Sequence, residues 1–207
     1  FGLTFESFIN DDLDVITKIP LRYTRGAYQT VNELVYETLT SSNNIYDNKA
    51  LFCEQHKNLA TKGGALSTDT LSIAIAAMKK QKGTASKGPA LNITPQFLIC
   101  GVDIEAQAAQ LLKSTSDPQA NNSGVANIYQ NTLTLVADAA LEGKAWYLAA
   151  NSLDCDTIEV TYLNGYDTPI LESKDDFERL GRKYRIWYPV GVAALDYRGL
   201  YKNPGVA

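Results

Sequence analysis

Between Leu13 and Leu39 the apolar side chains recur at helical spacing: Leu13, Ile16, Tyr23, Ala27, Val31, Leu34, Val35 and Leu39. A helix running from Asn10 to Thr40 is far longer than the usual roughly three to four turns. A stripe of that length needs an equally long surface to cover it. The expectation is therefore a helix that braces a sheet or reaches between subunits. Asn10, Asp11 and Asp12 offer N-cap oxygens and negative charge at its start. Pro20 lacks a helical N–H donor and is expected to kink or interrupt it.

The other elements are shorter. FGLTFESF (Phe1–Phe8) alternates as a short strand does. SSNNIYDNK (Ser41–Lys49) reads as a polar loop. A second helix is expected to open at Ser67 or Thr68, with Asp69 in its first turn and Leu71, Ala74, Ile75 and Met78 on its buried face. Lys79, Lys80 and Lys82 complement the negative end of its dipole, and Gly83 supplies a stop. FLICGV (Phe97–Val102) reads as a buried strand, and Asp103 as the cap of a third helix carrying Ile104, Ala108, Leu111 and Leu112. Ser114–Asn127 forms a long polar loop. TLTLV, WYLAA, IEVTYL and YRIWYPV follow as strands, with Asn164-Gly165 as a hairpin turn after the third. Helices with one strand, then several strands, predict an α+β class with no repeated βαβ unit.

Charge and cysteine usage exclude several function classes. The net charge of −4 and pI of about 5.1 oppose binding to nucleic acid through its phosphates. Neither an apolar run long enough to span a membrane nor a basic signal-peptide start is present. Cys53, Cys100 and Cys155 are odd in number, widely spaced and without a C-x-x-C pair, which fits free thiols in a reducing compartment such as the cytoplasm.

Chemistry-bearing motifs are few. Cys53 and His56 lie three apart in LFCEQHKNL and raise the reading of a small cysteine-dependent hydrolase or transferase, with His56 as base. Against it stands an ordinary loop contact, and His56 is the single histidine, too few for a zinc site. The glycines of KGGALS (Lys62–Ser67) precede a helix but match no phosphate-loop spacing, so a flexible helix entry explains them. Asp11-Asp12 and Asp175-Asp176 read as capping and solvated turn residues. No catalytic residue, metal ligand or cofactor is assigned.

The tail is more informative. LDYRGLYKNPGVA (Leu195–Ala207) holds Tyr197, Leu200 and Tyr201 close together, whereas disordered tails are poor in aromatics. It must pack against something. Arg198 and Lys202 stand beside those rings, able to stack on them or pair with carboxylates.

GVAALDYRGLYKNPG closely resembles the C-terminal signature of Mu-like phage and prophage major head proteins. Further segments match in the same order: INDDLDVITKIP, LFCEQHKNLA, ALS with MKKQK, ALNITPQFLI, IEAQAAQLL, AWYLAA, and DTIEVTYLNG with TPILE. The resemblance spans nearly the whole chain. It implies the Hong Kong phage-type major capsid fold, with a long spine helix and peripheral sheet plus an axial domain of helices around a central sheet. Residues 1–65 would then hold a peripheral strand, the spine helix and a connecting loop. Residues 66–150 would be mostly axial, with the Ser114–Asn127 loop near the capsomer axis, and residues 151–207 would return to the peripheral domain. The tail aromatics would pack against the spine helix, and Tyr197, Arg198, Tyr201 and Lys202 are the candidate subunit contacts.

The implied function is a structural subunit of an icosahedral head, found in the virion and made in the bacterial host cytoplasm. Its partners would be copies of itself in hexamers and pentamers, and a scaffold or maturation protease. No cofactor, membrane or sequence-specific nucleic acid is expected. The family's N-terminal arm and extended loop precede the segment with which this sequence opens, so a missing upstream part is expected. A tail or adaptor protein forming rings is a further reading.

Overall fold

The computed structural model describes residues 2–4, 6, 9–10, 15–83, 88–117, 125–178 and 180–206. The expected caps Asp11 and Asp12, and Leu13, lie outside them. The chain divides into two compact units: Phe1–Glu37 with Val160–Val192, and Thr38–Glu159 with Ala193–Ala207.

Unit one holds β1 (Gly2–Thr4), most of α1 (Val15–Thr40), β6 (Ile170–Asp175) and β7 (Gly181–Trp187). The first strand is thus shorter than FGLTFESF, and Glu6 and Ile9 are helical. The interruption expected at Pro20 does not occur, because α1 is continuous from Val15 to Thr40. Proline's fixed φ is already helical, and the lost donor falls early in the helix, close to the first-turn N–H groups that no helix satisfies internally. The three strands pair antiparallel in the order β1-β7-β6. The acidic pair of the β6–β7 hairpin does more than solvate a turn: Asp175 meets Arg182 at 2.8 Å and Asp176 meets Lys183 at 2.9 Å. Tyr188 carries an aromatic line, edge-on to Tyr28 of α1 (centroids 5.9 Å) and stacked on Tyr162 (5.8 Å).

Unit two is built on a mixed sheet in the order β3-β2-β4-β9. β2 (Pro95–Gly101) runs parallel to β3 (Thr134–Asp138) and antiparallel to β4 (Trp146–Ala150), which pairs antiparallel with β9 (Leu200–Asn203). α2 (Thr68–Lys79) is set by a capping box in which Ser67 and Thr70 satisfy each other's backbone N–H groups. Its face Leu71, Ala74 and Met78 is buried, with Ile75 packed partly against the same core. The helix ends at Lys79 with Lys80 still right-handed, so Gly83 is not its stop.

The parallel β2–β3 pair needs a crossover, and α3 (Glu105–Lys113) supplies it. One βαβ unit is therefore present within the mixed α-and-β class. Asp103 does not cap α3; it sits in a 3₁₀ turn, Val102–Ile104, and the cap position Ile104 makes no side-chain bond. Ile104, Ala108, Leu111 and Leu112 are buried as expected, in one cluster with Leu98, Trp146, Leu148 and Tyr201.

β5 (Ile158–Tyr162) and β8 (Val190–Ala194) form a separate two-stranded ribbon. The turn expected at Asn164-Gly165 exists, with φ of 53° and 74°, but it does not join a hairpin. β5 pairs with β8, beyond the intervening β6–β7 hairpin. Positive-φ residues fix a local reversal, and the strand that pairs afterwards is a longer-range choice.

Candidate functional site

The tail forms β9 in the sheet of unit two, hydrogen-bonded to β4, rather than returning to the sheet of unit one. Tyr197 stacks on the His56 ring, with centroids 3.8 Å apart and planes within 5°. Tyr201 is 5% exposed and belongs to the core cluster of unit two. On the open side of β9 the segment 58–60 lies against the strand: Lys202 N–H donates to the Asn58 carbonyl at 2.8 Å, and Ala60 N–H to the Lys202 carbonyl at 2.9 Å. A strand edge that would offer unpaired groups is thereby covered.

Asn-Pro-Gly is a stitch as well as a stop. Asn203 Oδ1 accepts from Gly64 N–H at 2.9 Å and from Gly205 N–H at 3.0 Å. Gly205 has φ +76°, and a Cβ there would lie 2.2 Å from the Lys144 carbonyl oxygen. A Cβ on Gly63 would meet the Gly205 carbonyl at 2.0 Å. Gly63 of KGGALS thus allows the tail to approach closely, which is the reason for glycine at that position.

The cations occupy different settings. Arg198 pairs with Asp196 at 3.2 Å and lies 5.4 Å from the Tyr197 ring centre. Its Nε is buried with no hydrogen-bond partner. Lys202 Nζ sits 5.7 Å from the Phe52 ring centre and 5.6 Å from that of Tyr147. Burial lowers the pKa of its ammonium. Tyr197, Arg198 and Lys202 are half-buried, whereas Tyr201 is enclosed by its own chain.

The same region decides the Cys53–His56 reading. His56 is 3% exposed, and both ring nitrogens face acceptors: Nδ1 the Leu51 carbonyl at 3.1 Å, Nε2 the Asp47 carboxylate at 2.7 Å. Neither faces the Cys53 thiol, so the structure brings the two residues near in sequence without joining them as nucleophile and base. Cys53, Cys100 and Cys155 are free, and burial pushes the Cys100 thiol up to about 11, away from thiolate reactivity. Among the described residues no group of three or more His, Cys, Asp or Glu could hold a metal. No described helix is long and apolar enough to cross a membrane.

Sequence reasoning missed Asn58, which joins these parts. It is fully buried; its Nδ2 donates to the carbonyls of Leu51 (2.8 Å) and Tyr197 (3.3 Å), and its Oδ1 accepts from Cys53 N–H (3.3 Å). A lone Asn in a polar stretch carries no sequence signal of such a role.

The hydrogen bond with the His56 ring holds the Asp47 carboxyl below the usual carboxylate range. Lys49 N–H and the charges of His56 and Lys49 add to this, partly opposed by desolvation. A folded-state pKa below the unfolded one, roughly 3.9, gives stability that is present above that value. It is lost as pH falls through the folded-state pKa. Asp47→Asn should therefore lower the urea midpoint at pH 5, and the two proteins should converge as pH falls below about 4. A gap that stays constant down to pH 2 would refute this role for Asp47.

A family profile described as "Phage capsid protein" matches residues 1–203. Comparison with curated proteins returns no match. Among solved structures the chain is similar to one from satellite phage P4, described as "Satellite phage P4 procapsid including size determination (Sid) protein". The identity is 10% and the TM-score 0.43, over 98% of this chain and 67% of that one. With the profile covering almost all of its length, the chain belongs to the phage capsid protein family, and its role is a structural one in the phage head.

Proposed function

We propose that this chain is the major head subunit of a Mu-like phage or prophage, with the Hong Kong phage-type fold. The observation that carries the reading is the family match along residues 1–203. The ordered series of Mu-like segments ending in GVAALDYRGLYKNPG supports the finer assignment. In this reading α1 is the spine helix and unit one is the peripheral domain. Unit two, with its helices and central sheet, takes the axial role.

Hexamers and pentamers of the chain close an icosahedral, DNA-containing shell in the virion. A scaffold and a maturation protease act during its assembly in the host cytoplasm. Each contact is modest, and closed symmetry multiplies it. The acidic balance suits a wall that does not grip DNA tightly. Half-buried Tyr197, Arg198 and Lys202 are the tail's share of the subunit contacts, with Tyr201 anchoring the strand from within.

The test is negative-stain electron microscopy of the protein expressed with its neighbouring head genes. Closed shells of uniform diameter are expected. Rings or small discrete particles, formed with the complete partner set, would overturn the reading and favour a tail or adaptor protein.

A further inference from the structure

Unit two carries an acidic turn tipped by a leucine, and a lysine-lined pocket, at opposite ends of the β4–β9 pair. The turn leaves β4 past Ala150, whose N–H donates to the Gly199 carbonyl at 2.8 Å. Asn151 closes it: its side-chain Oδ1 accepts from Leu153 N–H at 3.1 Å, and its carbonyl accepts from Asp154 and Cys155 N–H at 3.0 Å each. On this turn Leu153 is 91% exposed, so it occupies no pocket of its own chain. Asp154 and Asp156 are exposed beside it, and neither carboxylate has a partner among the described residues. They are the only charged residues between Ala150 and Ile158. The neighbouring Arg198 is already paired with Asp196 at 3.2 Å. A turn fixed in this way presents its side chain to a partner at little further ordering cost.

The pocket has a volume of about 650 Å³, with Leu59, Ala60, Ile73, Ala77 and Tyr201 as its apolar lining. Ile73, on the outer face of α2, is 65% exposed. The charged lining is Lys57 and Lys62 against Glu54, two cations to one anion. None of the three has an ion-pair partner among the described residues. Lys57 carries a second signal. Its φ is +55°, and every other described non-glycine residue with positive φ is an asparagine. The left-handed region disfavours lysine and suits asparagine. The backbone here asks for asparagine, so the reason for lysine lies in its side chain. Strain of this kind collects at surfaces with a function.

Turn and pocket match in character and in sign: a leucine flanked by carboxylates alone, and an apolar hollow with more ammonium than carboxylate. Asn203, which lines the pocket, lies opposite Trp146, at the far end of β4 from the turn. We propose that the 151–156 turn of one copy seats Leu153 in this pocket of a second copy, with Asp154 meeting Lys57. Such a contact is heterologous, joining different patches of identical chains, and it closes into a ring when the rotation allows. The charges fix the register of the contact, and the leucine supplies its apolar burial. The proposal rests on the shell-subunit reading and names one contact that such a shell would use.

The test places the photo-reactive residue benzoylphenylalanine at position 153 of the full chain and mixes it with isotope-labelled full chain lacking that residue. Irradiation is expected to give a covalent dimer whose labelled peptide comes from residues 54–62 or 70–77. No labelled adduct at high protein concentration, or one formed elsewhere on the surface, overturns the docking. Lys57→Asn separates the contact from the fold. It suits the left-handed backbone, so its urea midpoint should equal or exceed the parent's, while self-association should weaken by roughly tenfold or more. A Lys57→Asn chain that associates like the parent counts against the docking. Asp154→Lys should weaken association to a similar degree, and Lys57→Asp in the same chain should restore it; failure to restore counts against the pairing. Shells that form unchanged with Asp154→Lys sink this contact and spare the shell reading. The specific adduct without any shell does the reverse.

Discussion

Trp146→Ala should destabilise unit two by about 3–5 kcal/mol, the range for truncating a large buried aromatic. Trp146 is fully buried in the middle of the mixed sheet, opposite Cys100 on β2 and Asn203 on β9. It belongs to the same core cluster as Leu71, Met78 and Leu98. Its Nε1–H also donates to the Gly64 carbonyl at 3.3 Å, so it ties the sheet to the segment that receives the tail. Truncation removes the apolar burial and leaves a cavity that a sheet bonded on both sides of β4 closes poorly. Trp146→Phe keeps most of the volume and loses the hydrogen bond, so a smaller loss of about 1–2 kcal/mol is expected. Urea unfolding followed by far-ultraviolet circular dichroism reads both. A loss under about 1 kcal/mol for the alanine variant would mean that the sheet does not depend on this side chain.

What the sequence made legible follows from the range over which each signal acts. The faces of α2 and α3 and the strands β2 and β4 were readable because period and burial are local, and the capping residue Ser67 stands where the helix begins. The continuous helix through Pro20 was misjudged because proline's cost depends on its distance from the helix start. The destination of the tail was misjudged for a different reason. Tyr197, Leu200 and Tyr201, set close together, announce a segment that must be covered, yet nothing in them names the strand that covers it. The resemblance pointed to a phage head protein, which the capsid family match supports at that coarser level, while the physical pattern of the residues gave only an α-and-β protein with an aromatic tail. Gly63 illustrates the limit: its reason is the carbonyl of Gly205, far along the chain.

Asn58→Leu tests the part of the structure that no sequence pattern announced, and about 2–4 kcal/mol should be lost. The leucine is close in size, so the change is mainly one of hydrogen bonds. Cys53 N–H and the Tyr197 carbonyl lose their side-chain partner in part-buried hydrogen bonds, and a group so orphaned costs about 1–3 kcal/mol to the extent that water cannot replace the partner. The Leu51 carbonyl keeps the His56 ring, which limits the total. The consequence reaches β9, because the Asn58 side chain holds the segment whose backbone covers that strand's open edge. Amide hydrogen exchange at Lys202 and Ala60 should accelerate far more than at β4 amides such as Leu148, as a locally opened edge requires. Equal acceleration across the whole sheet would instead make Asn58 a general core residue. Unchanged exchange at Lys202 would mean that β9 keeps its cover without this side chain, and the stacked Tyr197–His56 pair would then be the contact that retains the tail.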